Sequence, residues 1–525
     1  MSVPSSLLRV PVEMPDRSGH NLSHSVSFTG MTGTLLPVFC KELLPNDTVS
    51  VGANFQVQLP PMVTDFYGKV DFVLEAFFVP NRLCWQGWKD FITHPTANPQ
   101  YPENTPVQAK PTEVPYFSVD SSFSIPVDSC LHYLGYGRNI FPPAQTADKK
   151  PSVLPAIAYH RIWDDWYRDS RIQSPLFYNA SNAVGGSYNE WLRSLPYLST
   201  LVNGSIPRVQ PVSIFTDGVS VGALRQRNWV KDYFTSASPL PQAGGASEVK
   251  FDVADSTGAF SIATLRAANS MQKWMERNNL AGYRYADQIY AQFGRYPADA
   301  IMDRCLYLGR HVDPVYNRSV FDTAGTSETG SLGTKAANSQ VLGEGSLVDN
   351  FTASEHGFLM VLASLVPRPV YGSGIERMCY RNVVGDFAFP LLAGMGDQTI
   401  AQYELNGDPT SQETFGYTDL YAEYKFSNDK VFGLLQDDRS LESYVLQRSF
   451  ASGSEVKISS SFLQIPRGYL DQVQAVETAT QGYTYWAEVY FPFKKISTIP
   501  AYSQPTLADL KHAHTEYISR GGKRL

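Results

Sequence analysis

The stretch Val70-Asp71-Phe72-Val73-Leu74-Glu75-Ala76-Phe77-Phe78-Val79-Pro80 decides how the rest of the chain is read. It is nearly continuous apolar sequence of strand length, closed by a proline that cannot donate to a sheet ladder. A half-exposed strand would alternate, so this one is predicted to be a central strand covered on both faces. Working outward, Ser25 to Asp90 mixes short apolar alternations with turn signals such as Leu44-Pro45-Asn46-Asp47 and Leu59-Pro60-Pro61, which predicts several further strands. Strand signals return at Gly357–Val366, at Leu420–Phe426 and at Tyr483–Phe493.

Between these ends the pattern changes. Phe91 to about Pro155 is rich in Pro, Asn, Thr and Ser and reads as loop. The spacing of Tyr159, Ile162, Trp163 and Trp166 predicts a helix over 156–169, and Ile262, Leu265, Ala268, Met271 and Met275 predict another over 261–279 with Ser261 as N-cap. Phe321–Asn350, made of Gly, Ser, Thr and Asn, reads as a long surface loop. Strands at both ends with helices and loops between them predict a mainly β fold, a jelly-roll β-sandwich with large helix-and-loop insertions. The expected division is an N-terminal arm (1–24), sandwich strands (25–90), an insertion (91–350), sandwich strands again (351–500) and a C-terminal basic tail (501–525).

Composition agrees. The 525 residues exceed what one core usually serves, and 30 Tyr, 29 Phe and 35 Pro suit strands, loops and contact surfaces better than helical bundles. Charged residues make up only 18%, so other side chains must cover much of the surface. The net charge of −7 supplies no general attraction to nucleic acid or anionic membranes, which leaves any such contact to a local patch. No apolar run is long enough for a membrane helix, and the start lacks a signal-peptide pattern, so a chain without membrane insertion is expected. Without export, the Asn-X-Ser/Thr triplets read as chance matches. Five widely spaced cysteines, Cys40, Cys84, Cys130, Cys305 and Cys379, read as free buried thiols of a reducing compartment rather than a zinc set.

Candidate chemistry is sparse. Asp164 and Asp165 are adjacent acids on the predicted helix, about 100° apart, and read as solvent-facing partners of Arg161 and Arg168 rather than an acid–base pair. His512, His514, Asp509 and Glu516 match no metal-ligand spacing. No glycine loop has the P-loop lysine followed by Ser or Thr. Neither enzyme, cofactor nor metal is therefore expected. Arg225, Arg227, Trp229, Lys231 and Tyr233 interleave cations with rings, the mixture that holds single-stranded nucleic acid by phosphate attraction and base stacking; the plain alternative is packed rings with paired cations. Arg520, Lys523 and Arg524 in the tail form a second nucleic-acid candidate, against the alternative of a merely disordered end. Trp85, Trp88, Trp163, Trp166 and Trp229 are candidate core or interface anchors.

Several blocks carry a family resemblance. Pro15-Asp16-Arg17-Ser18 with His20 and His24, Gly33-Thr34-Leu35-Leu36-Pro37, Phe77-Phe78-Val79-Pro80-Asn81-Arg82-Leu83, the helix from Tyr159 to Asp169 and Asp232–Gln242 resemble, in one order, the major capsid proteins of Microviridae, above all the gokushovirus-like branch. The resemblance implies a viral jelly roll that self-assembles into an icosahedral T=1 shell around a single-stranded DNA genome. It further implies a virion protein assembled in the bacterial host cytoplasm, partnered by its own copies, by small DNA-binding or minor virion proteins and by a host surface receptor. Only Ala243–Phe260 separates the Asp232–Gln242 block from the second helix, too little for the family's large protrusion, so Asn179–Val221 and Phe321–Asn350 are the candidate outward loops, with inter-subunit seams as the alternative place for both. The rival reading is a jelly-roll carbohydrate-binding or carbohydrate-active protein, which would need a cleft of convergent carboxylates.

Overall fold

The computed structural model describes residues 17–63, 66–85, 88–93, 114–115, 117–118, 125, 127–137, 151–173, 176, 212–213, 215–216, 219–220, 222–241, 266, 269–271, 273–274, 277, 285–294, 304–321, 335–393 and 396–501. Eleven strands build two facing sheets: β1 (Ser18–Asn21), β2 (His24–Gly30), β3 (Leu36–Leu43), β4 (Thr48–Gln58), β5 (Val70–Pro80), β6 (Leu306–Pro314), β7 (Tyr316–Phe321), β8 (Lys335–Thr352), β9 (Gly357–Pro367), β10 (Tyr485–Phe491) and β11 (Phe493–Ser497).

One sheet runs β1-β11-β4-β8-β7, with β2 and β10 continuing the same edge, and the other runs β6-β5-β9-β3. Every pairing within these two sheets is antiparallel. Pro492 interrupts the last strand, so β10 and β11 both lie along β4; β1 and β2 are likewise halves of one strand. With each broken strand taken once and β7 set aside as an edge addition, the sheets read first-eighth-third-sixth and second-seventh-fourth-fifth. That order is the double Greek key of a jelly roll.

Alternation places the core. Val49, Val51, Ala53, Phe55 and Val57 of β4 point inward while Ser50, Asn54 and Gln56 point out, and Tyr485, Ala487, Val489 and Phe491 do the same on β10. Rings fill the space between sheets: Phe55 meets Phe72 at 5.0 Å, Phe39 meets Phe491 at 5.1 Å, and Phe78 meets Phe351 at 5.1 Å. β5 is central and buried along nearly its whole length. Phe72 and Phe78 face the opposite sheet, whereas Phe77 packs on Trp166 and Tyr167 of the following insertion. This double cover is why the strand reads as an unbroken apolar run.

The structure moves the expected boundaries. The insertion drawn at 91–350 ends by residue 305, because β6 and β8 belong to the sandwich. Within it, Lys335–Thr352 is a strand ten of whose residues pair with β4, not a surface loop. The cause is visible at Gly343 and Gly345, where an added Cβ would lie 2.4 Å from the Phe55 ring and 2.2 Å from His311. Glycines here make room for large neighbours, although their composition suggests a loop. Conversely, 351–500 is not all sandwich: the described residues of 368–484, between β9 and β10, form a second insertion whose Ile400, Leu405 and Phe462 share a small core with Phe234. The alternation at Leu420–Phe426 gives a short 3-10 turn at Ala422–Tyr424 rather than a strand.

The first predicted helix is present as α1 (Leu154–Ile162), continued by a π-helical turn at Trp163–Tyr167. In 261–279 the described residues are helical, and Met271 and Trp274 are exposed. Most of 179–221 and 502–525, with Arg520, Lys523 and Arg524, lies outside the described residues, as do His512 and His514. Among the described residues no helix is long and apolar enough to cross a membrane.

Candidate assembly surface

The strap from Gly222 to Pro241 joins the sandwich to the second insertion, and its interleaved side chains turn inward. Trp229 and Tyr233 are buried. Arg227 pairs with Glu75 at 2.6 Å, donates to Ser364 Oγ at 3.2 Å and lies 5.2 Å from the Tyr167 ring, whose hydroxyl donates to the same carboxylate. Arg225 donates to His160 Nδ1 at 3.0 Å and stacks over Trp163 at 5.2 Å. Lys231 binds Asp169 and keeps about half its side chain at the surface. Tyr233 donates to Glu404 at 3.0 Å, and burial pushes its own phenol far up. The candidate stripe thus takes its plain alternative of packed rings and partnered cations: Glu75 engages Arg227, Asp169 engages Lys231 and His160 engages Arg225, all from segments remote in sequence. Trp229 also lines a cleft with segment 447–472.

The paired acids behave similarly. Asp164 binds Arg168 at 2.7 Å and accepts from the Leu176 N–H, while Asp165 binds Arg161 at 3.1 Å and accepts from the Cys305 N–H. Their i,i+4 partners are those expected, but both carboxylates are buried rather than solvent-facing. The load on each leaves no shared proton site.

Of the tryptophans, Trp85, Trp163 and Trp229 are buried, Trp88 is partly covered beside Phe91 and His356, and Trp166 lies at the surface with its indole N–H on the Cys305 carbonyl and Arg304 stacked 3.5 Å away. Burial pushes the thiols of Cys84 and Cys130 up to about 12, while Cys379 is exposed. Among the described residues, Asp437, Asp438 and Glu442 are the group able to hold a cation; all three are exposed, and Glu442 already accepts from the Asp438 N–H.

The unexpected feature is a preformed apolar surface on the second insertion, between Glu376 and Leu441. Leu391 is 93% exposed, Val384 76% and Phe432 72%, with Val383, Phe387 and Leu434 also open. These side chains sit on short 3-10 turns, which polar contacts hold in place. Arg377 donates to the Thr399 carbonyl at 2.6 Å, and Arg381 binds Glu423 at 2.7 Å while stacking 4.6 Å over Tyr424. The Phe389 N–H donates to Tyr421 Oη at 3.3 Å, and Lys430 pairs with Glu376. Asp386 accepts from the Asn382 and Val383 N–H groups at 2.8 and 3.0 Å, which holds its carboxyl below the usual range. Phe387 and Phe432 would each offer about 150–250 Å² if fully exposed, so with the smaller Leu and Val side chains the six open groups present roughly several hundred Å² between them. Sequence reading missed this surface because its apolar residues follow neither helical nor strand period.

A jelly roll carrying two long insertions has relatives among known proteins. The family model described as "Capsid protein (F protein)" matches residues 9–253 and 245–507. The chain belongs to this phage capsid protein family. Among curated relatives, it is similar to "Capsid protein VP1" of Chlamydia phage 1 at 26% identity, covering 95% of this chain and 97% of that one. The same name is carried by relatives in Spiroplasma virus 4 (29% identical, 94% and 95% covered) and Bdellovibrio phage phiMH2K (24%, 85% and 87%). The resemblance to Microviridae major capsid proteins is thus a membership, and the capsid protein is a structural component of a phage virion. Nothing in these matches supports the carbohydrate reading.

Proposed function

We propose that copies of this capsid protein tile a closed icosahedral T=1 shell around a single-stranded DNA genome in the host cytoplasm, by contact alone and without catalysis. The observation that carries this is the preformed apolar surface between Glu376 and Leu441. Its occupant is a second copy of the chain, which would bury apolar side chains that an isolated protomer leaves in water. Because turns and ion pairs already order it, little freedom is lost on docking. A cyclic arrangement lets each copy give one such surface and receive another, so the contacts close on themselves. The basic tail with Arg520, Lys523 and Arg524 is assigned to the enclosed DNA, where cations meet dense phosphates. Residues 179–221 and 322–334 are assigned to the host receptor. Small DNA-binding or minor virion proteins complete the particle. Electron microscopy of the purified protein tests the reading: uniform closed shells containing DNA are expected, and dispersed monomers at high concentration would refute it.

A further inference from the structure

Where Trp229 leaves the strap, it meets segment 447–472 in a cleft of about 800 Å³, within the range of sites that hold small molecules or nucleotides. Arg448 lies buried at its floor. Its guanidinium is 4.3 Å from the Phe462 ring centroid, 4.9 Å from Trp229 and 5.6 Å from Phe450. Nη1 donates to Tyr371 Oη at 3.1 Å and Nη2 to the Phe462 carbonyl at 2.8 Å. Among the described residues no carboxylate pairs with it directly; Asp232 is linked only through the Tyr371 hydroxyl, which donates to it at 2.7 Å.

A guanidinium has five donors, and a buried cation without an anion is costly. Three residues that line the same cleft, Trp229, Tyr469 and Gln447, each carry a buried polar atom (Nε1, Oη and Oε1) with no hydrogen-bond partner. Buried polar atoms left open in one place mark a missing ligand or ordered water. At the mouth, Lys457 is well exposed and pairs with Glu455 at 3.0 Å, so with Arg448 the cleft keeps an excess of positive charge. Phe450 and Phe462 stack at 5.9 Å with planes 28° apart, offering a ring platform beside that charge.

We propose that this cleft takes one nucleotide unit of a single-stranded DNA segment, with its phosphate paired to Arg448 and its base against the Phe450–Phe462 platform. Cation plus ring platform is the combination that holds single strands without sequence preference. A lone inorganic anion would satisfy the charge but leave the rings and most of the volume unused. The proposal rests on the reading that the shell encloses single-stranded DNA.

The test is ultraviolet cross-linking of intact, DNA-filled particles followed by peptide mass spectrometry. Adducts are expected on Trp229 or within 447–472; adducts found only elsewhere would overturn the proposal while leaving the shell intact. Since Arg448→Gln risks misfolding, Phe450→Ala and Lys457→Ala are the working variants. Both should still form shells, with cross-linking here reduced about five-fold or more by loss of stacking or charge. An unchanged yield in both would refute the assignment. If no particles form, or none contain DNA, the shell reading itself fails, and the cleft is then judged by titrating the full chain with short oligo(dT), dTMP, inorganic phosphate and a neutral oligosaccharide. Tightest binding of oligo(dT) supports a strand contact; equal binding of phosphate makes it a free-anion site, and preference for the sugar makes it a saccharide site, either of which overturns the proposal.

Discussion

Replacing Leu391 by Ser removes the most exposed large apolar side chain of the proposed contact surface. At 93% exposure, Leu391 contributes almost nothing to the isolated protomer, so unfolding stability should stay within about 0.5 kcal/mol of the parent. Fully burying a leucine is worth about 1.5–3 kcal/mol, and serine forfeits nearly all of it. Taking about 2 kcal/mol per contact, with 1.4 kcal/mol per factor of ten, each copy-to-copy contact should weaken roughly 30-fold. Since every copy would use this surface in a closed shell, the concentration at which shells appear should rise by at least that factor. Sedimentation across a concentration series measures the threshold, and a thermal melt of the free chain measures the protomer. Shells forming at the parental concentration would refute the docking role. A melt lowered by several degrees would also refute it, because Leu391 would then be supporting its own fold.

Other outcomes follow from the same geometry. Arg227→Met should strand the buried Glu75 carboxylate and cost about 3–5 kcal/mol in urea unfolding, whereas Glu75→Leu combined with Arg227→Met should recover most of the loss. Although burial opposes its ionisation, Arg171 and Lys231 hold the Asp169 carboxyl well below the usual range. Its contribution is therefore complete above the ordinary unfolded value of about 3.9 and lost as pH falls below it; Asp169→Asn should flatten the acid limb of the stability profile. Cys379, exposed beside Met378 on the apolar surface, should react readily with a thiol reagent in free chains and slowly in particles, while Cys84 and Cys130 stay unreactive in both; intact-mass analysis separates the cases. Deleting Ser519–Leu525 should lower the DNA retained per particle, read as the ratio of absorbance at nucleic-acid and protein wavelengths, and unchanged packaging would remove the tail from consideration.

Local pattern alone determined a good deal of this protein. The apolar run at Val70–Pro80, the alternations of β4 and β10 and the aromatic helix around Trp163 are each legible because one periodicity reports one buried face. The capsid family was equally legible, since its motifs are contiguous words. What sequence could not settle was which neighbour each side chain would meet. Gly343 and Gly345 look like loop residues until Phe55 and His311 are seen to fill their space. Arg225, Arg227 and Lys231 look like a phosphate-binding stripe until His160, Glu75 and Asp169 arrive from other elements to engage them. The open apolar surface and the Arg448 cleft are collected from turns without any period, so only the tertiary structure brings their members together. Burial and charge pairing are long-range properties, decided by which distant segments share a volume, whereas strand and helix signals are written within a few consecutive residues.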